Sequence, residues 1–129
     1  MAYGSLLTDT VQSSTTGTPP QFNDGSGTQV GTLCRAWVNY KGTATRGINA
    51  SFNVSSVTFN STGDYTLNFT TALNDANYST LVTSGDSGTG MVVGTTTSVY
   101  TTTTCRIVSL NSGQTGYVDL AKINVAIFR

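Results

Sequence analysis

From Leu33 onward the chain alternates apolar and polar residues with a period of two. In "CRAWVNY" (34–40), Cys34, Ala36, Val38 and Tyr40 fall on one face, and Leu33, Arg35, Trp37 and Asn39 on the other. Both faces carry large side chains, which predicts a strand covered on both sides. "INASFNV" (48–54) alternates cleanly, with Ile48, Ala50, Phe52 and Val54 expected inward. "VTFNSTGDYTLNF" (57–69) reads as a hairpin: Val57 and Phe59 lead into a Ser-Thr-Gly-Asp loop, and Tyr65, Leu67 and Phe69 return. Further strands are expected over 78–83, 90–93, 99–108 and 117–128, the last with Ile123, Val125 and Ile127 on one face. No window repeats apolar residues at i, i+3, i+4 and i+7, and strong helix formers are scarce. The expected fold is therefore all-β, a β-sandwich or jelly roll of seven or eight short strands.

The first 31 residues break this pattern. "MAYGSLLTDTVQSSTTGTPPQFNDGSGTQVG" is Gly/Ser/Thr-rich, with Pro19-Pro20 favouring polyproline II and Asp24-Gly25 favouring a turn. It reads as an extended N-terminal arm (1–31) ahead of the β-domain (32–129). Fully stretched, such an arm reaches up to roughly 100 Å. Its apolar anchors, Tyr3, Leu6, Leu7, Val11, Phe22 and Val30, are too few for a core, so it needs a partner surface to be ordered.

Composition narrows the function. In 129 residues the hydrophobic fraction is 37%, the charged fraction 9%, and the net charge zero. That suits one modest domain with little self-repulsion between copies. There is no basic stripe for a phosphate backbone, no apolar run long enough to span a bilayer, and no leader pattern in "MAYGSLLTDT". These features disfavour nucleic-acid and membrane partners.

The chain has no histidine, and that weighs on each catalytic candidate. "SGDSGTGM" (84–91) matches the loop around the nucleophilic serine of chymotrypsin-like proteases, but Ser87 lacks the base that would take its proton. A turn-forming loop is the better reading. Asp64, Asp75, Asp86 and Asp119 fall in or beside expected turns, where Asp bonds local backbone, rather than forming a hydrolytic pair. No calcium-loop or zinc-ligand spacing is present, so neither metal nor cofactor is expected. Cys34 and Cys105 read as free thiols in strands. Trp37 shares a strand with Cys34, which departs from the immunoglobulin arrangement. Five Asn sequons, at Asn49, Asn53, Asn60, Asn68 and Asn77, follow from an Asn/Ser/Thr-rich composition. The pairs Arg35/Trp37, Tyr40/Lys41 and Tyr100/Arg106 could stack on sugars or bases, or simply pack within strands.

The run "LCRAWVNYKGTATRGINASFNVSSVTFNSTGDYTLNFTTALNDANYSTLV" (33–82) resembles a domain of virion proteins from tailed bacteriophages, of the type found in cyanophages and other marine phages. Tyr40 stands where the family more often has Phe. The opening "MAYGSLLTDTVQSST" and the ending "NVAIFR" are similar to the ends of such proteins. The resemblance implies a non-enzymatic structural protein of the virion, assembled in the host cytoplasm with reduced cysteines. It also implies a homotrimer in contact with other virion proteins, as a tail-fibre or related appendage. An arm this short with one β-domain also suits a head-decoration or capsid cement protein that stabilises the shell. A receptor module for host surface polysaccharide is a further reading. Docking is expected through Tyr3, Leu6, Leu7, Val11 and Phe22, with a second interface at Leu33, Arg35 and Trp37 on the first strand of the domain.

Overall fold

The structure, a computed structural model, describes residues 4, 7–16, 18–85, 90–93 and 100–129. It divides into two compact units, Met1–Leu33 and Cys34–Arg129. In the first, β1 (Phe22–Asn23) and β2 (Gln29–Gly31) form a short antiparallel hairpin. Asp24 builds its turn: Oδ1 accepts from the Ser26 amide at 2.9 Å, the Ser26 hydroxyl at 2.7 Å and the Thr28 amide at 2.9 Å. This part of the expected extended arm is folded back on itself.

The second unit holds β3 (Cys34–Lys41), β4 (Gly47–Phe52), β5 (Val54–Ser61), β6 (Asp64–Phe69), β7 (Ser79–Ser84), β8 (Gly90–Val93), β9 (Thr104–Asn111) and β10 (Ile123–Phe128). Sheet I runs β4-β3-β10-β7 and sheet II runs β5-β6-β9-β8, with antiparallel pairing throughout. No helix occurs among the described residues. The inward face of each strand supplies the core of a β-sandwich. Ala36, Val38, Tyr40, Ile123, Val125 and Ile127 come from sheet I, and Tyr65, Leu67, Phe69, Cys105 and Ile107 from sheet II. Tyr40 and Tyr65 meet edge to face across the layers, with centroids 5.4 Å apart.

Three expectations change. First, "INASFNV" is two strands, not one. Asn53 adopts φ 54°, a left-handed conformation that Asn tolerates better than most residues, and turns the chain from sheet I to sheet II. Its side chain fixes the corner, donating to the Arg35 and Thr71 carbonyls at 3.1 Å and accepting from the Thr71 amide at 2.7 Å. A bulge between Asn39 and Tyr40 also shifts the β3–β4 register. Ile48 and Val54 face the core as expected, but Ala50 and Phe52 are outside. Second, the strand expected over 99–108 is β9, Thr104–Asn111. The Thr101 hydroxyl accepts from the amides of Thr103 (3.1 Å) and Thr104 (2.8 Å), making a turn where a strand was expected to run on. Third, the strand expected over 117–128 is extended only from Ile123. Tyr117 and Val118 instead lie along β9, with the Val118 amide on the Ser109 carbonyl at 3.1 Å, and the chain then crosses to sheet I, where the Leu120 carbonyl accepts from the Gly42 amide at 2.9 Å.

Candidate functional site

Three surfaces of the second unit carry concentrated side-chain chemistry. The first joins three loops at one end of the sandwich. Asp119, ahead of β10, accepts from the Gly63 amide at 2.7 Å, the Tyr65 hydroxyl at 2.6 Å and Arg46 at 2.7 Å. Gly63 occupies the β5–β6 turn at φ 66°, and a Cβ there would lie 2.5 Å from the Ser109 carbonyl oxygen, so the turn requires glycine. The Arg46 guanidinium lies 3.7 Å over the Phe59 ring. Burial works to raise the Asp119 pKa, but the Tyr65, Gly63 and Arg46 donors outweigh it and hold it below the usual carboxylate value. Burial, then the bond to Asp119, pushes the Tyr65 hydroxyl well above its ordinary value. The group is a latch: a carboxylate engaged by three donors.

The second surface is the outer face of sheet II. Arg106 pairs with Asp64 through Nε at 2.8 Å and through a second, shorter contact from Nη2. Asn60 donates to Asp64 at 3.0 Å and to Thr66 at 2.9 Å. Asn68 donates to the hydroxyls of Ser56 and Thr58, each at 3.0 Å. The Arg106 hydrogen bonds lower the Asp64 pKa. Asn60, Thr66, Thr104 and Arg106 line a shallow depression of about 410 Å³. Its one cation is already paired, so the depression presents hydroxyls and amides with little net charge.

The third surface is the outer face of sheet I. Trp37 pairs directly with Phe52 on β4 and with Ala126 on β10, and Ala126 pairs with Leu81 on β7. Partners in antiparallel register point to the same face. Phe52, Trp37, Ala126 and Leu81 therefore stand in one row across all four strands. Phe52 is 55% exposed, Leu81 56% and Trp37 37%. Beside this row runs an amide ladder. Asn49 donates to Asn39 at 2.7 Å, Asn39 to Asn124 at 2.5 Å and Asn124 to the Thr83 hydroxyl at 3.4 Å.

Tyr3 and Leu6 lie outside the described residues, as do Asp86 and Ser87 of "SGDSGTGM". Leu7, Val11 and Phe22 are exposed in the first unit, Leu7 at 96%. Leu33 is exposed and Arg35 half-buried, its carbonyl taken by Asn53. Trp37 lies exposed on the outer face of β3, so the expectation that both faces of this strand are covered is not met among the described residues. The stacking pairs also change: Tyr40 is buried against Tyr65, Arg106 binds Asp64, and Tyr100 packs on Tyr78 with centroids 5.0 Å apart. Asp119 makes long-range contacts, and Asp64 pairs with distant Arg106 while also accepting from Asn60 across its turn, whereas Asp75 accepts from the Asn77 amide at 2.8 Å, as its turn position suggests. Cys34 and Cys105 are free, Cys105 in the core with its thiol pushed up by burial.

Phe52, Leu81 and Ala126 are the residues that sequence reasoning missed. The unbroken alternation of "INASFNV" places Phe52 inward. Asn53, a residue that favours corners, was the available signal. No family model, curated protein or solved structure is significantly similar to this chain.

Proposed function

We propose that this chain is a structural protein of a tailed-bacteriophage particle, a small appendage or head-decoration protein. It attaches through its N-terminal segment, residues 1–31, and residues 32–129 form its β-sandwich body. The resemblance of 33–82 to phage virion domains supports the kind of particle. The observation that carries the reading is the exposure of Leu7, Val11, Phe22 and Val30 in a unit whose described residues form one two-stranded hairpin. Apolar side chains left in water at this density find stability on another protein's surface. In this role the chain assembles with copies of itself and with other particle proteins and turns over no substrate. Its thiols stay reduced through assembly in the host cytoplasm.

The test is incorporation into particles. A chain lacking residues 1–30, and a full-length chain carrying Leu7→Asp and Val11→Asp, are each supplied in place of the original. Both should keep a β-type circular dichroism spectrum and be missing from purified particles. Normal incorporation of the double substitution would refute attachment through this segment. Copy number per particle then assigns the location, with hundreds placing the chain on the head and a few to tens on the tail.

A further inference from the structure

We infer that the outer face of sheet I is a two-fold interface between copies of this chain, with the row Phe52–Trp37–Ala126–Leu81 of one copy packed face to face on the same row of another. The inference does not depend on where the chain sits on a particle or on how the N-terminal segment attaches.

The row is a built feature of the register. Each member is directly paired with the next, from β4 through β3 and β10 to β7. At the usual strand spacing it runs about 14 Å, edge to edge across the sheet. With the exposures given above, its three large side chains leave on the order of 300 Å² of apolar surface in water, comparable with the largest apolar patch of a typical monomer, which is often a functional one.

The order of side-chain sizes points to a second copy as the occupant. From β4 to β7 the row reads large, large, small, large. A two-fold axis between β3 and β10, parallel to the strands, places β3 of one copy over β10 of the other and β4 over β7. Trp37 then covers the other copy's Ala126, and Phe52 meets Leu81. Each contact occurs twice, as an isologous interface requires. Bulk meets a gap at both Trp37–Ala126 crossings, which close packing favours. The same operation lays the amide ladder on itself, Asn39 over Asn124. Each of these amides retains donor and acceptor capacity beyond its ladder bonds. Neither row contains an ionisable residue, so no buried charge opposes the contact. A sugar platform fits less well, because the row ends in Leu81 rather than in a ring that could stack on a sugar.

Two features set the strength. The apolar area falls short of the roughly 450 Å² that each side of a standard interface contributes, so the dimer is weak, with Kd on the order of micromolar or above. Lys41 continues β3 beyond Asn39, and Lys122 precedes β10 beyond Asn124. The two-fold brings these lysines of the two copies toward each other at the rim. Their repulsion is screened by salt, so association tightens as ionic strength rises.

Trp37 is the only tryptophan in the chain and stands inside the row, so its fluorescence reads the interface directly. Sedimentation equilibrium and tryptophan emission would be recorded on the full chain from about 1 μM to about 1 mM at low and high salt. The expected result is a mass rising from one chain to two. Trp37 emission should shift to shorter wavelength and acrylamide quenching should fall in step, both more strongly in high salt. Leu81→Asp and Phe52→Ser, at exposed positions, should each remain one chain with a quenchable Trp37. Thr58→Asp, on the outer face of sheet II, should dimerise like the parent. Four outcomes would overturn the inference: a single chain throughout; a trimer; dimerisation that survives both row substitutions; or Trp37 protected by added polysaccharide while the mass stays that of one chain.

Discussion

Replacing Asp119 by alanine should be among the most damaging single changes outside the apolar core. Its carboxylate is the shared acceptor for the Gly63 amide, the Tyr65 hydroxyl and Arg46. Tyr65 is fully buried, and Gly63 sits in a turn that only glycine can make. Removing the acceptor leaves two neutral donors without partners, each costing about 1–3 kcal/mol. The Arg46 pair is partly exposed and screened by solvent, so it adds little. The sum, about 2–6 kcal/mol, is a large fraction of the ~5–15 kcal/mol that holds a typical domain folded. For a chain of this size the melting midpoint should fall by on the order of 10–15 °C. Tyr65→Phe removes one donor and leaves Asp119 with two, so it should cost only about 1 kcal/mol. In the double variant the orphaned hydroxyl is gone, and its cost should fall below the sum of the singles by about 1–2 kcal/mol. Denaturant titrations followed by circular dichroism and Trp37 emission measure all three. A cost below about 1 kcal/mol for Asp119→Ala, or strict additivity with Tyr65→Phe, would refute the latch.

Further expectations concern pH and the turn at Gly63. Asp64 and Asp119 are held below their unfolded pKa, so the stability they contribute is present above roughly pH 4 and is lost as pH falls through their lowered folded values. Tyr65 and Tyr78 are raised, mainly by burial, so the folded state resists their ionisation. Stability should decline as pH climbs past about 10, where the unfolded chain releases those protons. Denaturation midpoints across the pH range should therefore trace a plateau with acid and alkaline shoulders; an unchanged midpoint at either end would contradict the corresponding assignment. Gly63→Ala forces a Cβ against the Ser109 carbonyl and the Val118 amide in a left-handed turn, and should lower stability by about 2–4 kcal/mol; a loss under about 1 kcal/mol would show that the turn relaxes.

The all-β class and most strands were legible because alternation with a period of two is a local property. The inward faces of β3, β6 and β10 follow directly from it. What alternation does not carry is where a strand ends and which partner it takes. At Asn53 a left-handed residue splits one apparent strand between two sheets, and the bulge beside Asn39 reverses the orientation of Ala50 and Phe52. The outer row was invisible for that reason: Phe52, Trp37, Ala126 and Leu81 are scattered over ninety positions and become neighbours only through register. The ion pairs were hidden in the same way. Arg46, Arg106 and Arg129 look isolated in the sequence, yet each meets an aspartate 42 to 73 positions away. Trp37 stands out in the sequence because it is rare, and its exposure on the outer face of sheet I depends on what packs over that face, which no local pattern encodes.

The central claim is that this chain is a building part of a tailed-phage particle. Quantitative mass spectrometry of gradient-purified particles, with and without the gene for this chain, tests it most directly. The account predicts the intact chain at a fixed copy number in the parent particles, and particles that lack an appendage or a stable shell when the gene is removed. Absence of the chain from purified particles, with its accumulation only in the infected-cell lysate, would contradict it.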